Sequence, residues 1–303
     1  MNTSNSFNEL LQFQHDTEAL CSIAGRLGWD QETMMPKGSA DQRATEQATI
    51  AKTIHSRNTD KRISEWISKI IPQNEIEAAS VRLIKKSYQK ACKVPPDLNA
   101  AIARITSQAH GIWASARQNE DVAEYLPILT KIICLKREKA TALAEVGTDY
   151  DALADEYEPG MSTADISVMF DELRPTLVSL RREILAKDKM PSVNGNFDEK
   201  TQLELAKELA VIFGYDLSKG RIDTAVHPFS SGSGDDVRIT TRTNPTDPFN
   251  CIYSTIHEVG HATYEQNIKK DYIFSPLGRG VSLGVHESQS RIFENQLGRS
   301  RAF

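Results

Sequence analysis

The sequence predicts a mainly α-helical protein with one small β element in its last third. Three observations lead there. Across residues 7 to 187, apolar residues recur at three- and four-residue spacing between charged ones, as in "NEIEAASVRLIKKSYQKA" and "TADISVMFDELRPTLVSLRREILAK". From about residue 215 the texture changes to Gly, Ser, Pro and Asp around a single alternating stretch, "DVRITTR". After Asp247-Pro248 the helical period returns, in a segment that carries two histidines four residues apart.

The bulk composition narrows the class. At 303 residues the chain can form one large domain or two ordinary ones. With 39% hydrophobic and 25% charged residues it reads as a soluble globular protein. Its 36 basic and 41 acidic residues give a net charge of −5 with no long single-sign run. That argues against a nucleic-acid partner, because phosphates need clustered Lys and Arg. No apolar run approaches the roughly 20 residues of a membrane helix, so no membrane partner is expected. The start, "MNTSNSFNELLQFQHD", lacks the basic and apolar regions of a signal peptide. Cys21, Cys92, Cys134 and Cys251 form no CxxC pair, which fits a reducing cytoplasm; Cys134 in "KIICLK" reads as a buried thiol.

In chain order, residues 1–190 read as a helical bundle whose Leu, Ile and Ala stripes are core. Two turns interrupt it. One is "WDQETMMPKG" (29–38). The other is "TDYDALADEYEPGMST" (148–163), where Pro159-Gly160 stops a helix and Ser162 or Thr163 caps the next. "KDKMPSVNGNFDEK" (187–200) is a surface connection, and 201–214 is another amphipathic helix. Residues 191–303 hold the strand element and the motif-bearing helices. In "DVRITTR", Val237, Ile239 and Thr241 face one way and Arg238, Thr240 and Arg242 the other, a strand with one buried side. A lone strand must pair, and "RIDTAV" (221–226) is the nearest partner.

Asp247 is a good N-cap and Pro248 a good first helical residue. Ile252, Ile256, Val259 and Thr263 then recur at helical spacing as one buried face. In "HEVGH", His257 and His261 project together from adjacent turns, and Glu258 is offset by about 100°. Two neutral imidazoles in this arrangement can hold a metal ion while the neighbouring carboxylate takes a proton from water. Gly260 lets another backbone or a substrate approach closely. Three protein ligands are expected, and no histidine follows at the spacing HExxHxxGxxH. "GVSLGVHESQSRIFENQLG" reads as a second helix, with Leu283, Val285, Ile292, Phe293 and Leu297 on one broad side and Glu287, Arg291 and Glu294 on the other. Spacing alone does not choose among His286, Glu287 and Glu294 as the third ligand.

"HEVGH" followed by "HESQS", with "HPF" (227–229), "DVRIT" (236–240), "YDALADEYEPG" (150–160) and "WDQETMMP", resembles the carboxypeptidase Taq family of metallocarboxypeptidases. The resemblance implies a helical zincin-like frame with the small β element near the active site. It implies one zinc or other divalent ion per chain, held by His257, His261 and Glu287, with Glu258 as general base. His227, Arg238 and Thr240 would lie near the substrate, and His286 would line the cleft or support the site. Many glutamate-zincins carry an acidic residue four positions after the third ligand to orient a ligand histidine; this chain has Arg291 there, so that orientation must come from elsewhere, with Glu294 as one candidate.

The implied substrates are peptides with a free C-terminus and the implied assembly is a homodimer. Family motifs resembling IRxxAD and GxxQDxHW are absent, so the chain reads as the C-terminally truncated, N-terminal three-fifths of a single domain. Weak activity and self-association through uncovered apolar faces are expected of such a piece. Tyr264, Tyr272, Arg279 and Arg291 are nearby candidates for an electrophile and a carboxylate-binding cation. A substrate could also add to the edge of "DVRITTR" as an extra strand, with Arg238 or Arg242 meeting its carboxylate. Two other readings stand beside this one: a helical endo- or oligopeptidase on a similar frame, and a non-catalytic helical interaction protein with a relict metal site.

Overall fold

The computed structural model describes residues 3–145, 147–187 and 193–303, and the helical period becomes helix through most of its first two-thirds. Helix α1 (Thr3–Thr33) runs through Trp29, Asp30 and Gln31, which the sequence assigned to a turn. The chain stops being helical only just before Pro36, which disfavours helical backbone at the residue preceding it. Arg43 of α2 (Ala40–Asn58) clasps that last turn, donating to the Leu27 carbonyl and to Asp30 at 2.5 Å each.

Helices α3 (Lys61–Ile67), α4 (Glu75–Lys93), α5 (Pro96–Gln118) and α6 (Val122–Leu143) complete the bundle. Asp60, Asn74 and Asp121 cap α3, α4 and α6 by accepting from backbone N–H groups of the first turn. Leu10, Phe13, Ile63, Ile70 and Ile84 form the core of α1, α3 and α4, each such side chain contributing about 1.5–3 kcal/mol by burial. Cys134 is exposed rather than buried: it borders an open apolar groove between α5 and α6.

The stretch 148–163 is more ordered than a turn. It contains α7 (Asp149–Ala154), opened by a capping box between Thr148 and Asp151. Ser162, not Thr163, caps α8 (Thr163–Leu185) in a second capping box with Asp165. Here the expectation that apolar stripes are core fails. No residue of α8 is buried, and Val168, Phe170, Leu177 and Ile184 are each more than half exposed. Periodicity reports a stripe along a helix and says nothing about what lies against it.

Part of the predicted connection 187–200 falls outside the described residues. Helix α9 (Glu199–Ile212), capped by Asp198, starts two residues before the predicted 201. The strands are β1 (Ile222–Thr224), β2 (Ser230–Ser233) and β3 (Asp236–Thr241), in the order β1-β3-β2. "RIDTAV" does pair with β3, in parallel, with Ile222 opposite Ile239. Strand β2 pairs antiparallel, Ser230 opposite Ile239, and its Ser-Ser-Gly-Ser sequence has no apolar alternation to announce it. Two expectations are therefore corrected. Strand β3 is central with both edges occupied, so no substrate can add to it as a strand. Thr240 is as fully buried as Val237, Ile239 and Thr241, its hydroxyl accepting from the Phe229 N–H at 2.8 Å.

Helix α10 (Pro248–Gln266) begins at the Asp247 cap and packs across this sheet and α9. Val259 and Ala262 join Ala210, Tyr215, Val237 and Ile239 in one core, while Ile252 is only half-buried. Helix α11 (Leu283–Arg291) lies beside α10 and widens into a π-helical segment, Ile292–Leu297. Of its broad apolar side Phe293 packs into the core, whereas Leu283, Val285, Ile292 and Leu297 are exposed. The start of α11 is tied to the α7–α8 turn: the Tyr157 carbonyl accepts from the Leu283 N–H at 2.9 Å, and Glu158 from the Gly284 N–H at 2.8 Å.

The two helices meet at Gly260. A Cβ there would lie 2.6 Å from the Cα of Ser290 and 2.8 Å from the Gln289 carbonyl oxygen, both backbone atoms that cannot swing aside. Gly260→Ala gains about 1 kcal/mol of helix propensity. Overpacking backbone against backbone costs about 1–3 kcal/mol or more, and forces α11 away. The variant should unfold at lower urea concentration than the parent and bind metal more weakly. An equal or higher midpoint would mean that the helices are not held this close.

Candidate metal centre

His257 and His261 stand one turn apart on α10, their ring centroids 4.9 Å from each other. Each points its Nε2 at the same oxygen of Glu287, 3.6 Å away for His257 and 3.3 Å for His261. Zinc bonds of about 2.0–2.2 Å in a tetrahedral arrangement separate neighbouring ligand atoms by roughly 3.3–3.5 Å. The three side chains are therefore spaced as a donor set, and nitrogen–nitrogen–carboxylate is a combination zinc accepts.

Protonation agrees with that use. Burial, reinforced by His286 and His257, pushes His261 down to about 4, so its imidazole is neutral at pH 7. Glu287 is half-exposed. Burial pushes its carboxyl up, but His257 and Arg291 outweigh that and hold it below the usual range. Arg291 donates from Nε to the second oxygen of Glu287 at 2.7 Å. The arginine that occupies the expected acidic position thus steadies Glu287 instead of a histidine.

The outward nitrogens of the two ligand imidazoles have different partners. His257 Nδ1 lies 2.9 Å from Glu294, whose carboxylate also accepts from Arg291 at 3.1 Å and Arg299 at 2.8 Å. His261 Nδ1 lies 2.5 Å from Nδ1 of His286, and His286 Nε2 lies 2.8 Å from Glu265. His286 is outside the ligand triad. Glu265 was missed by the sequence reading, although it sits four residues after His261 on the same helix face and that spacing was legible.

Glu258 is 6% exposed on the adjoining face of α10. Burial, with Glu287 nearby, pushes its carboxyl up to about 8. No group among the described residues hydrogen-bonds it. With His257 it lines a cleft of about 940 Å³ whose walls include His227, Pro228, Arg242, Asn250, Tyr253 and Arg117.

Several expected site residues lie elsewhere. Arg238 pairs with Asp236 at 2.7 Å, stacks over the Trp29 ring at 4.5 Å, and faces a different pocket of about 280 Å³. Arg279 lines that same pocket, bound to Glu18 at 2.7 Å through Nε. Thr240 is enclosed in the sheet, and Tyr264 packs edge-on against His286 at 5.2 Å. Tyr272 lies in a short turn and borders neither pocket.

Over residues 9–303 the chain matches the family described as Carboxypeptidase Taq (M32) metallopeptidase. It is 39% identical to thermostable carboxypeptidase 1 of Thermus thermophilus, over 98% of this chain and 62% of that protein. It is 32% identical to carboxypeptidase 1 of Bacillus subtilis, over 98% of this chain and 60% of that protein. The crystal structure of an M32 carboxypeptidase from Deinococcus radiodurans superposes with a TM-score of 0.86 at 34% identity, covering 98% of this chain and 61% of that one. The chain spans about three-fifths of the length of the curated relatives it matches.

The raised Glu258 carboxyl makes stability depend on pH in the metal-free protein. Its folded pKa of about 8 lies above the ordinary value of 4.5. The proton it holds therefore adds stability that is complete below the unfolded pKa and is lost as pH rises through the folded one. Between about pH 5 and about pH 8 the denaturation midpoint of the metal-free parent should fall relative to Glu258→Gln, whose amide does not titrate. Parallel profiles for the two proteins would show that this carboxyl is not desolvated.

Proposed function

The chain belongs to the carboxypeptidase Taq (M32) metallopeptidase family, and from that premise we propose that it is a zinc-dependent carboxypeptidase releasing single residues from peptide C-termini. The observation that carries this reading is the convergence of two imidazole Nε2 atoms on one carboxylate oxygen, beside a buried carboxyl with no other hydrogen-bonding task.

The roles follow from the chemistry of the residues. His257 and His261 would offer Nε2 lone pairs and Glu287 a carboxylate oxygen to the ion. When bound, zinc polarises a carbonyl oxygen and lowers the pKa of water at the open position. Glu258 takes the proton from the attacking water and returns it to the leaving amine. A buried carboxyl suits that task because its affinity for a proton is raised. Arg242, whose contact among the described residues is Asn250, and Arg117, stacked on Trp113, enter the same cleft without a carboxylate partner. They are the cations available there for a substrate's terminal carboxylate.

No helix among the described residues is long and apolar enough to cross a membrane. The four cysteines are free thiols, which supports a reducing, cytoplasmic setting. The same reading carries a homodimer, to be checked by light scattering.

Purified protein should carry close to one equivalent of zinc, and His261→Ala should lose most of it. Glu258→Gln should keep the metal and cleave a peptide with a free C-terminus about 10²- to 10⁴-fold more slowly than the loaded parent. Amidating that peptide should abolish cleavage. Full metal retention in His261→Ala would remove the metal assignment. Equal cleavage of the amidated peptide would favour the endopeptidase reading, and a loaded parent that cleaves neither peptide would remove the activity.

A further inference from the structure

We propose that Glu265 is a positioning residue of the metal centre, acting through His286 to hold His261 in the tautomer that presents Nε2 to the ion. The inference rests on the metal reading above and goes one step beyond it, to a carboxylate that touches neither ion nor substrate.

Proton bookkeeping decides the direction of the chain. A neutral imidazole has one N–H and one lone pair. With an ion in the donor set His261 Nε2 would give it its lone pair, so the imidazole proton would reside on Nδ1. That nitrogen lies 2.5 Å from His286 Nδ1, so His261 donates and His286 must accept. The proton of His286 then resides on Nε2, which donates to Glu265 Oε1 at 2.8 Å. An ionised carboxylate only accepts, so the run closes without a conflict. The opposite orientation fails at both ends. A proton on His286 Nδ1 would move the His261 proton onto Nε2, where it blocks the ligand lone pair. It would also leave the lone pair of a neutral His286 facing a carboxylate oxygen.

The surroundings hold this run in place. Glu265 is 8% exposed. The Tyr264 ring stands edge-on to His286 at an interplanar angle of 89°. On another side is Gly280, where a Cβ would come within 2.8 Å of the His286 ring and 3.5 Å of Glu265 Oε1. His257 needs no such relay because Glu294 reaches its Nδ1 directly.

Zinc affinity measured by chelator competition tests the proposal, with nitrogen-15 spectra of the histidines in the zinc-loaded parent. The spectra should show His261 protonated at Nδ1 and His286 at Nε2. Glu265→Gln, which keeps the shape and removes the charge, should weaken zinc binding about 10- to 100-fold. His286→Phe, which leaves His261 Nδ1–H without an acceptor, should weaken it at least as much. Gly280→Ala, which keeps every polar group and displaces the His286 ring, should also weaken it. Urea midpoints of the metal-free variants separate this from misfolding, and only variants that fold like the parent are scored. A parent that takes up no zinc would overturn the metal reading and the relay together. Folded variants binding zinc as tightly as the parent, or His286 protonated at Nδ1 in the loaded protein, would overturn the relay alone.

Discussion

The close approach of α10 and α11 at Gly260 is the contact on which the site depends. A glycine inside a helix costs about 1 kcal/mol relative to alanine. Here that cost brings Ser290 Cα to within what would be 2.6 Å of a side chain. Only at that separation do residues of α11 and the π-helical segment reach α10 side chains: Glu287 meets both imidazoles, His286 meets His261, and Glu294 meets His257. The two ends of the approach are fixed independently. Phe293 packs into the core of Val259 and Ala262, and the N-terminus of α11 is held by Tyr157 and Glu158. The turn 148–163, distant in sequence, therefore helps set the position of Glu287.

How much of this was legible follows from which signals are local. The start of α10 was readable because Asp247 and Pro248 act within one turn, and Gly260 because a helical glycine needs a reason. The pairing of "RIDTAV" with "DVRITT" was readable because a lone strand needs a partner. Spacing left His286, Glu287 and Glu294 equal; the resemblance pointed to Glu287, and the way α11 meets α10 brings that carboxylate to both imidazoles. Arg238 and Thr240, placed near the substrate by the resemblance, do not line the cleft that holds His257 and Glu258. Alternation says which residues share a face, but not that Asp236 and Trp29 would capture the arginine or that the threonine hydroxyl would be bonded to the Phe229 backbone. The exposed α8 is the complementary case, a correct helix none of whose residues is buried.

The arginines around the two pockets sort by their partners. Arg291 and Arg299 are spent on Glu287 and Glu294, Arg238 on Asp236, and Arg279 on Glu18. An arginine already paired with a carboxylate inside the protein must give up that pair to take another. Arg242 and Arg117 have no carboxylate partner among the described residues.

Charge balance gives the donor set a further reason to take a cation. Glu258, Glu265, Glu287 and Glu294 surround the imidazoles of His257, His261 and His286, and the guanidiniums paired with them are those of Arg291 and Arg299. With the imidazoles neutral and every carboxyl ionised, two negative charges are left over, the amount a divalent cation brings. Burial and Glu287 push the Glu258 carboxyl up to about 8, so a proton there would meet part of the shortfall. A proton on Glu258 and a cation among His257, His261 and Glu287 are thus alternative answers to one electrostatic deficit. His257, His261 and Glu287 are in this way coupled to Glu258 through charge, although no hydrogen bond joins them to it among the described residues.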